Sequence, residues 1–133
     1  MSFQLSNRSI LRLDGVHPAL VSVVRAAIAI SKVDFTVLEG RRTLEKQREY
    51  FNAGKSRTMA SKHLSGHAVD LAPILDTDGD GDKELSWNPD HFLPINDAMQ
   101  QAAANLGVKV TWGGLWRSFP DSPHFEINPQ EYP

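Results

Sequence analysis

The stretch Ser61-Lys62-His63-Leu64-Ser65-Gly66-His67-Ala68-Val69-Asp70 sets two metal-capable side chains, His63 and Asp70, on either side of a glycine. From Ala68 the pattern alternates as a strand. Ala68, Asp70 and Ala72 fall on one face, and Val69 and Leu71 on the other, because successive strand side chains point to opposite sides. In one unbroken strand His63 and Asp70 would face apart, since their separation is odd. A turn at Gly66 removes that conflict, and glycine is the residue that turns most freely. The fold therefore hangs on a turn followed by a strand that carries a carboxylate on its polar face.

Working upstream, Gly54 to Ser61 reads as a polar loop. Before it, Leu44 to about Ala53 reads as a helix, with Thr43 as its cap, Glu45 in its first turn and Gly54 at its end. Asp34 to Gly40 is rich in β-branched and aromatic residues and closes on glycine, a strand signal; Arg41 and Arg42 follow. Pro18 opens an earlier helix running to about Ser31, with Leu20, Val23, Val24, Ala27, Ile28 and Ile30 at helical spacing. His17 reads as its capping or surface histidine. Met1 to Gly15 is expected to be extended or loop-like.

Downstream, Pro73 should limit the Ala68–Ala72 strand, and Asp76 to Glu84 form an acidic loop. A third helix is expected from about Pro94 to Leu106, its apolar stripe being Ile95, Met99, Ala102, Ala103 and Leu106, closed by Gly107. Val108 to Trp112 alternates as a strand, Gly113-Gly114 turns, and Pro123 to Ile127 reads as a last strand. This order predicts an α+β domain, a small antiparallel sheet backed by helices.

The chain of 133 residues fits a single domain. Its net charge of −2 gives no footprint for nucleic acid. The absence of cysteine excludes a disulfide scaffold and a thiol nucleophile, so any metal site must use His, Asp and Glu. Met1 to Arg12 lacks the apolar core of a signal peptide, and no apolar run is long enough to span a bilayer. No membrane partner is expected, and any export needs outside help.

A second cluster, Asp121-Ser122-Pro123-His124-Phe125-Glu126, supplies another histidine with an acid three residues before it. A catalytic zinc typically takes three protein ligands and leaves a position for water. His63, Asp70 and His124 can supply that set. Asp121 could then accept the proton of the attacking water, and Arg42 could stabilise the developing oxyanion. Taken singly, Asp121 reads as a loop carboxylate bonded to backbone amides, and Arg42 as a surface arginine. His67 is four residues from His63, as two ligands on a helix would be, but Gly66 intervenes and no H-E-x-x-H pattern is present; it reads as a residue flanking the site. His91 reads as a surface or packing histidine.

The pattern Ser61-x-His63-x-x-Gly66-x-Ala68-x-Asp70 with a downstream acid-x-x-His resembles the D-alanyl-D-alanine peptidase group, which includes VanX- and VanY-type enzymes. Its short length and lack of a signal resemble the phage branch, the L-alanyl-D-glutamate endopeptidases used as endolysins. The resemblance implies a hedgehog/DD-peptidase-like fold and a single catalytic domain without a separate wall-binding domain. It implies zinc on His63, Asp70 and His124, with Asp121 as general base, Arg42 as the carbonyl-polarising cation and Ser61 in contact with substrate. Peptidoglycan stem peptides would be cut between L-alanine and D-glutamate by a monomer, held in the host cytoplasm until a separate membrane-permeabilising protein releases it to the periplasmic wall. Many relatives carry glutamate where Asp121 stands, and the VanX type has tryptophan where Phe125 stands. Alternatives are a D-alanyl-D-alanine carboxypeptidase or dipeptidase, and a non-catalytic zinc domain that binds cell wall or a partner.

Asp76-Thr77-Asp78-Gly79-Asp80-Gly81-Asp82-Lys83-Glu84 matches the start of an EF-hand loop, with oxygen ligands at positions one, three and five and glycine at six. The twelfth position, ordinarily a bidentate glutamate, is Trp87. Asp76, Asp78, Asp80, Asp82 and Glu84 are the expected calcium ligands, with calcium acting as a regulator.

Overall fold

A computed structural model describes residues 2–56, 61–118 and 120–133. Its centre is the strand predicted from the motif. β2 (Ala68–Leu75) pairs antiparallel along one side with β1 (Asp34–Glu39). Along its other side it pairs first with β5 (His124–Glu126) and then, near its far end, with β3 (Glu84–Leu85). β4 (Thr111–Trp112) adds to β5, giving the order β1-β2-β5-β4.

The expected alternation holds in three dimensions. Val69 and Leu71 point into the core with Phe35, Val37 and Phe125, all fully buried or nearly so. Two helices cover that face: α2 (Pro18–Ile30) through Leu20, Val23, Val24 and Ala27, and α4 (Leu93–Leu106) through Ile95, Met99 and Ala102. His17 caps α2, its Nδ1 accepting from the Ala19 amide at 3.0 Å. α3 (Leu44–Asn52) is capped by Thr43 as the sequence implied. Gly107 ends α4 in the left-handed conformation (φ 71°). The architecture is the predicted α+β one.

Several boundaries differ from expectation. The N-terminal segment contains a short helix, α1 (Asn7–Arg12), where a loop was expected. Its reason is tertiary. Ser9 is fully buried, and its hydroxyl accepts from the Val37 amide at 2.9 Å and shares a hydrogen bond with Thr36 at 3.0 Å. Arg12 donates to the Val37 carbonyl at 2.9 Å. These side chains occupy backbone groups on the outer edge of β1, which would otherwise be an open sheet edge.

β2 runs on through Pro73 instead of stopping there. The Pro73 carbonyl accepts from the Ser86 amide at 3.1 Å. A strand residue's N–H and C=O point to the same neighbour, so the missing amide falls at the end of the two-residue β3, where one lost bond is tolerated. The predicted strand 108–112 narrows to Thr111–Trp112, and 3-10 turns occupy Pro89–Phe92 and Gly113–Leu115.

One irregularity matters for function. Val37 pairs with Leu71, yet Glu39 pairs with Asp70, so the register shifts at Leu38. This bulge places Glu39 on the polar face beside Asp70; in a regular ladder Leu38 would stand there.

Gly40 is pinned between elements. A Cβ there would lie 2.0 Å from the Arg12 carbonyl oxygen and 2.8 Å from the Val16 side chain. Backbone cannot yield as a side-chain tip can, so Gly40→Ala is expected to cost about 1–3 kcal/mol. Urea denaturation with an unchanged slope would show it.

Candidate active site

The Lys62–Gly66 turn is held by its own backbone. Leu64 donates to the Ser61 carbonyl at 3.1 Å, and His67 to the Lys62 carbonyl at 2.9 Å. Gly66 adopts φ +78°, and a Cβ on it would meet the Gly15 carbonyl at 2.3 Å. The turn is also tied to the end of β1. The Arg42 amide donates to the His63 carbonyl at 2.9 Å, and His63 Nδ1 donates to the Gly40 carbonyl at 2.8 Å. With one ring nitrogen so engaged, Nε2 is left facing Asp70 Oδ1 at 3.1 Å.

The sheet supplies the remaining members. Asp70 and His124 are direct cross-strand partners in β2 and β5. His124 Nδ1 lies 3.4 Å from Asp70 Oδ1, and its Nε2 donates to Glu126 Oε1 at 2.8 Å. Ligand atoms of His63, Asp70 and His124 all fall within 4.8 Å of one another. Nitrogen and oxygen ligands of a tetrahedral zinc-sized ion, each about 2.0–2.1 Å from the metal, stand roughly 3.3 Å apart. The distances of 3.1 and 3.4 Å match that spacing. Two imidazoles and a carboxylate, each imidazole turned by a bond to its other nitrogen, therefore fit a divalent metal, with room for a fourth ligand.

The charges are strongly coupled. Burial works against ionisation of Asp70, yet hydrogen bonds and charge from His124 and His63 outweigh it and hold the carboxyl well below the usual range. Burial likewise disfavours protonated His124, but Asp70, Glu126 and Asp121 around it push it up to about 9. Among these donors, metal and proton would compete for the same lone pairs.

Asp121 lies 3.9 Å from His124 Nδ1. Its amide donates to the Gly113 carbonyl and its carbonyl accepts from the His124 amide, so a tight turn carries it to the site. Burial, reinforced by the Asp70 carboxylate, raises its pKa above that of an ordinary aspartate.

Arg42 is 9% exposed and lines the same cleft, of about 630 Å³. Nε and Nη2 donate to Glu39 Oε1, Nη1 donates to Gln47 at 2.6 Å, and the guanidinium lies over the Tyr50 ring at 4.6 Å. Guanidinium has five N–H groups, so these contacts leave two for a ligand. Ser61 lines the cleft too, and its hydroxyl accepts from the His63 amide at 3.2 Å. All six residues expected at the hydrolytic site thus line one cleft.

His67 turns away. Its Nε2 donates to the Tyr132 carbonyl at 2.6 Å, and Nδ1 bonds Ser65 at 2.7 Å. His91 bonds Ser86 at 2.6 Å, a packing role.

The residues that sequence reasoning missed are supporting ones: Glu39, Gln47, Tyr50, Lys62 and Glu126. For Glu126 a signal existed. It stands two residues after His124, so a strand puts both on one face.

In the acidic loop, oxygens of Asp76, Asp78, Asp80 and Glu84 lie within 4.8 Å of one another. Asp82, expected with them, is not in this group. The Asp82 amide donates to Asp80 at 2.8 Å. Asp76 accepts from the amides of Gly79, Asp80 and Gly81. The Gly81 amide chiefly lowers its pKa. Gly79 and Gly81 both have positive φ.

The sheet presents two imidazoles and a carboxylate, a set that could hold one metal ion, at the wall of an open cleft. A family model described as phage L-alanyl-D-glutamate peptidase matches residues 1–131. The chain is 32% identical over 136 residues to the L-alanyl-D-glutamate peptidase of Escherichia phage T5, covering 99% of this chain and 94% of that protein. It is 30% identical over 131 residues to the peptidoglycan L-alanyl-D-glutamate endopeptidase CwlK of Bacillus subtilis (strain 168), covering 86% and 74%. The crystal structure of the Serratia marcescens L-Ala D-Glu endopeptidase ChiX superposes with a TM-score of 0.87 at 40% identity, covering 99% of this chain and 95% of that one. The chain belongs to the phage L-alanyl-D-glutamate peptidase family.

Proposed function

We propose that this protein is a zinc-dependent endolysin that hydrolyses the bond between L-alanine and D-glutamate in peptidoglycan stem peptides. The observation that carries this reading is the convergence of His63, Asp70 and His124 beside Asp121 and Arg42 in one cleft, in a chain of this family. Zinc on His63 Nε2, Asp70 and His124 Nδ1 would polarise the scissile carbonyl and lower the pKa of an attacking water toward ~7. Asp121 takes that water's proton and later returns it to the leaving amine; its raised pKa suits a group that must do both. Arg42 directs a spare N–H at the carbonyl oxygen as charge develops there, while Glu39 and Gln47 keep the guanidinium in place. Ser61 borders the cleft where a peptide backbone would lie.

The test is product identity. Purified muropeptides incubated with the protein should yield a free D-glutamate amino terminus by mass spectrometry. Release of D-alanine instead would mean a carboxypeptidase, and intact substrate with zinc bound would mean a binding domain. Among the described residues no helix is long and apolar enough to cross a membrane. As part of the endolysin reading, access to the wall comes from a separate membrane-permeabilising protein, with the monomer waiting in the host cytoplasm until release.

The loop from Asp76 to Glu84 would bind calcium as a regulator. The clustered oxygens of Asp76, Asp78, Asp80 and Glu84 support this, since they fall at the spacing an EF-hand uses. Millimolar calcium is expected to raise the Tm by several degrees in wild type and not in Asp76→Ala/Asp80→Ala. At 100 times Kd a ligand adds about 2.7 kcal/mol.

A further inference from the structure

The two histidines of the metal site are oriented in opposite senses. His63 turns Nε2 inward because its Nδ1–H donates to a neutral backbone carbonyl, that of Gly40. His124 turns Nδ1 inward because its Nε2–H donates to a carboxylate, Glu126 Oε1 at 2.8 Å. Glu126 is not free to move. Its other oxygen, Oε2, accepts from Lys62 Nζ at 2.5 Å. Lys62 comes from the turn that carries His63, whereas Glu126 shares β5 with His124. Ala68 lies directly across from Glu126 in β2 and is fully buried.

We infer that Lys62 and Glu126 form a positioning pair that sets the ring tautomer of His124 and raises its strength as a metal ligand. The inference rests on the metal-site reading above. A carboxylate behind a ligating imidazole fixes which nitrogen is free and increases its basicity, and losing such a partner typically costs about 10- to 100-fold in metal affinity or activity. Lys62 holds Glu126 aimed at the ring, and the pair joins the His63 turn to the His124 strand. Neither residue need touch substrate for this role.

The experiment measures zinc affinity by chelator competition on wild type, Glu126→Gln, Glu126→Ala and Lys62→Met, with long-range proton–nitrogen NMR of the zinc-loaded histidine rings. Wild type should show His124 protonated at Nε2 and bound through Nδ1, with His63 the reverse. Glu126→Ala should weaken zinc binding about 10- to 100-fold, Glu126→Gln less, because the amide oxygen still accepts from Nε2–H, and Lys62→Met least. Excess zinc should restore most of kcat in each, as a positioning role requires. Glu126→Gln is nearly isosteric and carries the test if Glu126→Ala fails to fold. Equal zinc affinity across all four proteins, or His124 bound through Nε2, would overturn this inference alone. Wild type that bound no zinc would overturn the metal-site reading and this inference with it.

Discussion

Asp121→Asn is expected to lower kcat by roughly 100- to 10,000-fold, the usual contribution of a general acid–base group, while zinc content and fold stay as in wild type. The asparagine fills the same space and can still bond the turn, but its amide cannot take a proton. Asp121 reaches the site from a loop outside the three candidate ligands, 3.9 Å from His124 Nδ1. Its removal therefore leaves the three proposed ligands in place. The check is turnover on purified muropeptides, with zinc measured on the same samples by atomic absorption. A variant that kept within tenfold of wild-type kcat would remove Asp121 from the chemistry. Lost zinc would make it a ligand instead.

His124→Ala should be more severe and different in kind. It deletes one of the three proposed ligands, so zinc content and hydrolysis should fall together, the latter to background. The damage extends to its neighbours. Asp70 loses one of its two imidazole partners, and Glu126 keeps Lys62 but loses the ring it was aimed at. Chelation of wild type should reproduce the activity loss, and added zinc should reverse it there but not in the variant. Turbidity loss of outer-membrane-permeabilised Gram-negative cells gives the readout. Persistent lysis by a zinc-free His124→Ala protein would refute a metal mechanism.

Much of this site was legible because its parts are local or periodic. His63, Gly66 and Asp70 form one turn-strand unit, and the alternation from Ala68 to Ala72 tells which side chain faces the cleft. His124 repeats the logic on a second strand, with Asp121 in the turn just before it. The helices α2 and α4 were legible for the same reason, through apolar spacing and their capping residues. The missed parts depend on contacts far apart in sequence. α1 has too few residues for a periodic stripe and owes its place to Ser9 and Arg12 reaching β1. Strand β2 continues past Pro73 because the neighbouring strand there is only two residues long. Glu39 reaches Arg42 through a bulge that no propensity announces. In the acidic loop the spacing identified four clustering carboxylates, those of Asp76, Asp78, Asp80 and Glu84.

The pairing of Asp70 with His124 across β2 and β5 makes the sheet a ruler for the chemistry. Sliding β5 by a single residue would present Phe125 to the cleft and bury His124 among the helices. Chain length is consequently constrained unevenly. Gly113, Asp121, Ser122 and Pro123 are anchored through their backbone by hydrogen bonds to one another or to the sheet, so added residues should still deliver His124 to the same rung only where they fall between Gly113 and Asp121. One residue inserted within Ala68–Asp70 or His124–Glu126 would exchange an enzyme for a misfolded sheet. Natural variation in the size of such enzymes should therefore collect in the loops between rungs, and libraries meant to change their substrate preference can be lengthened there without disturbing catalysis.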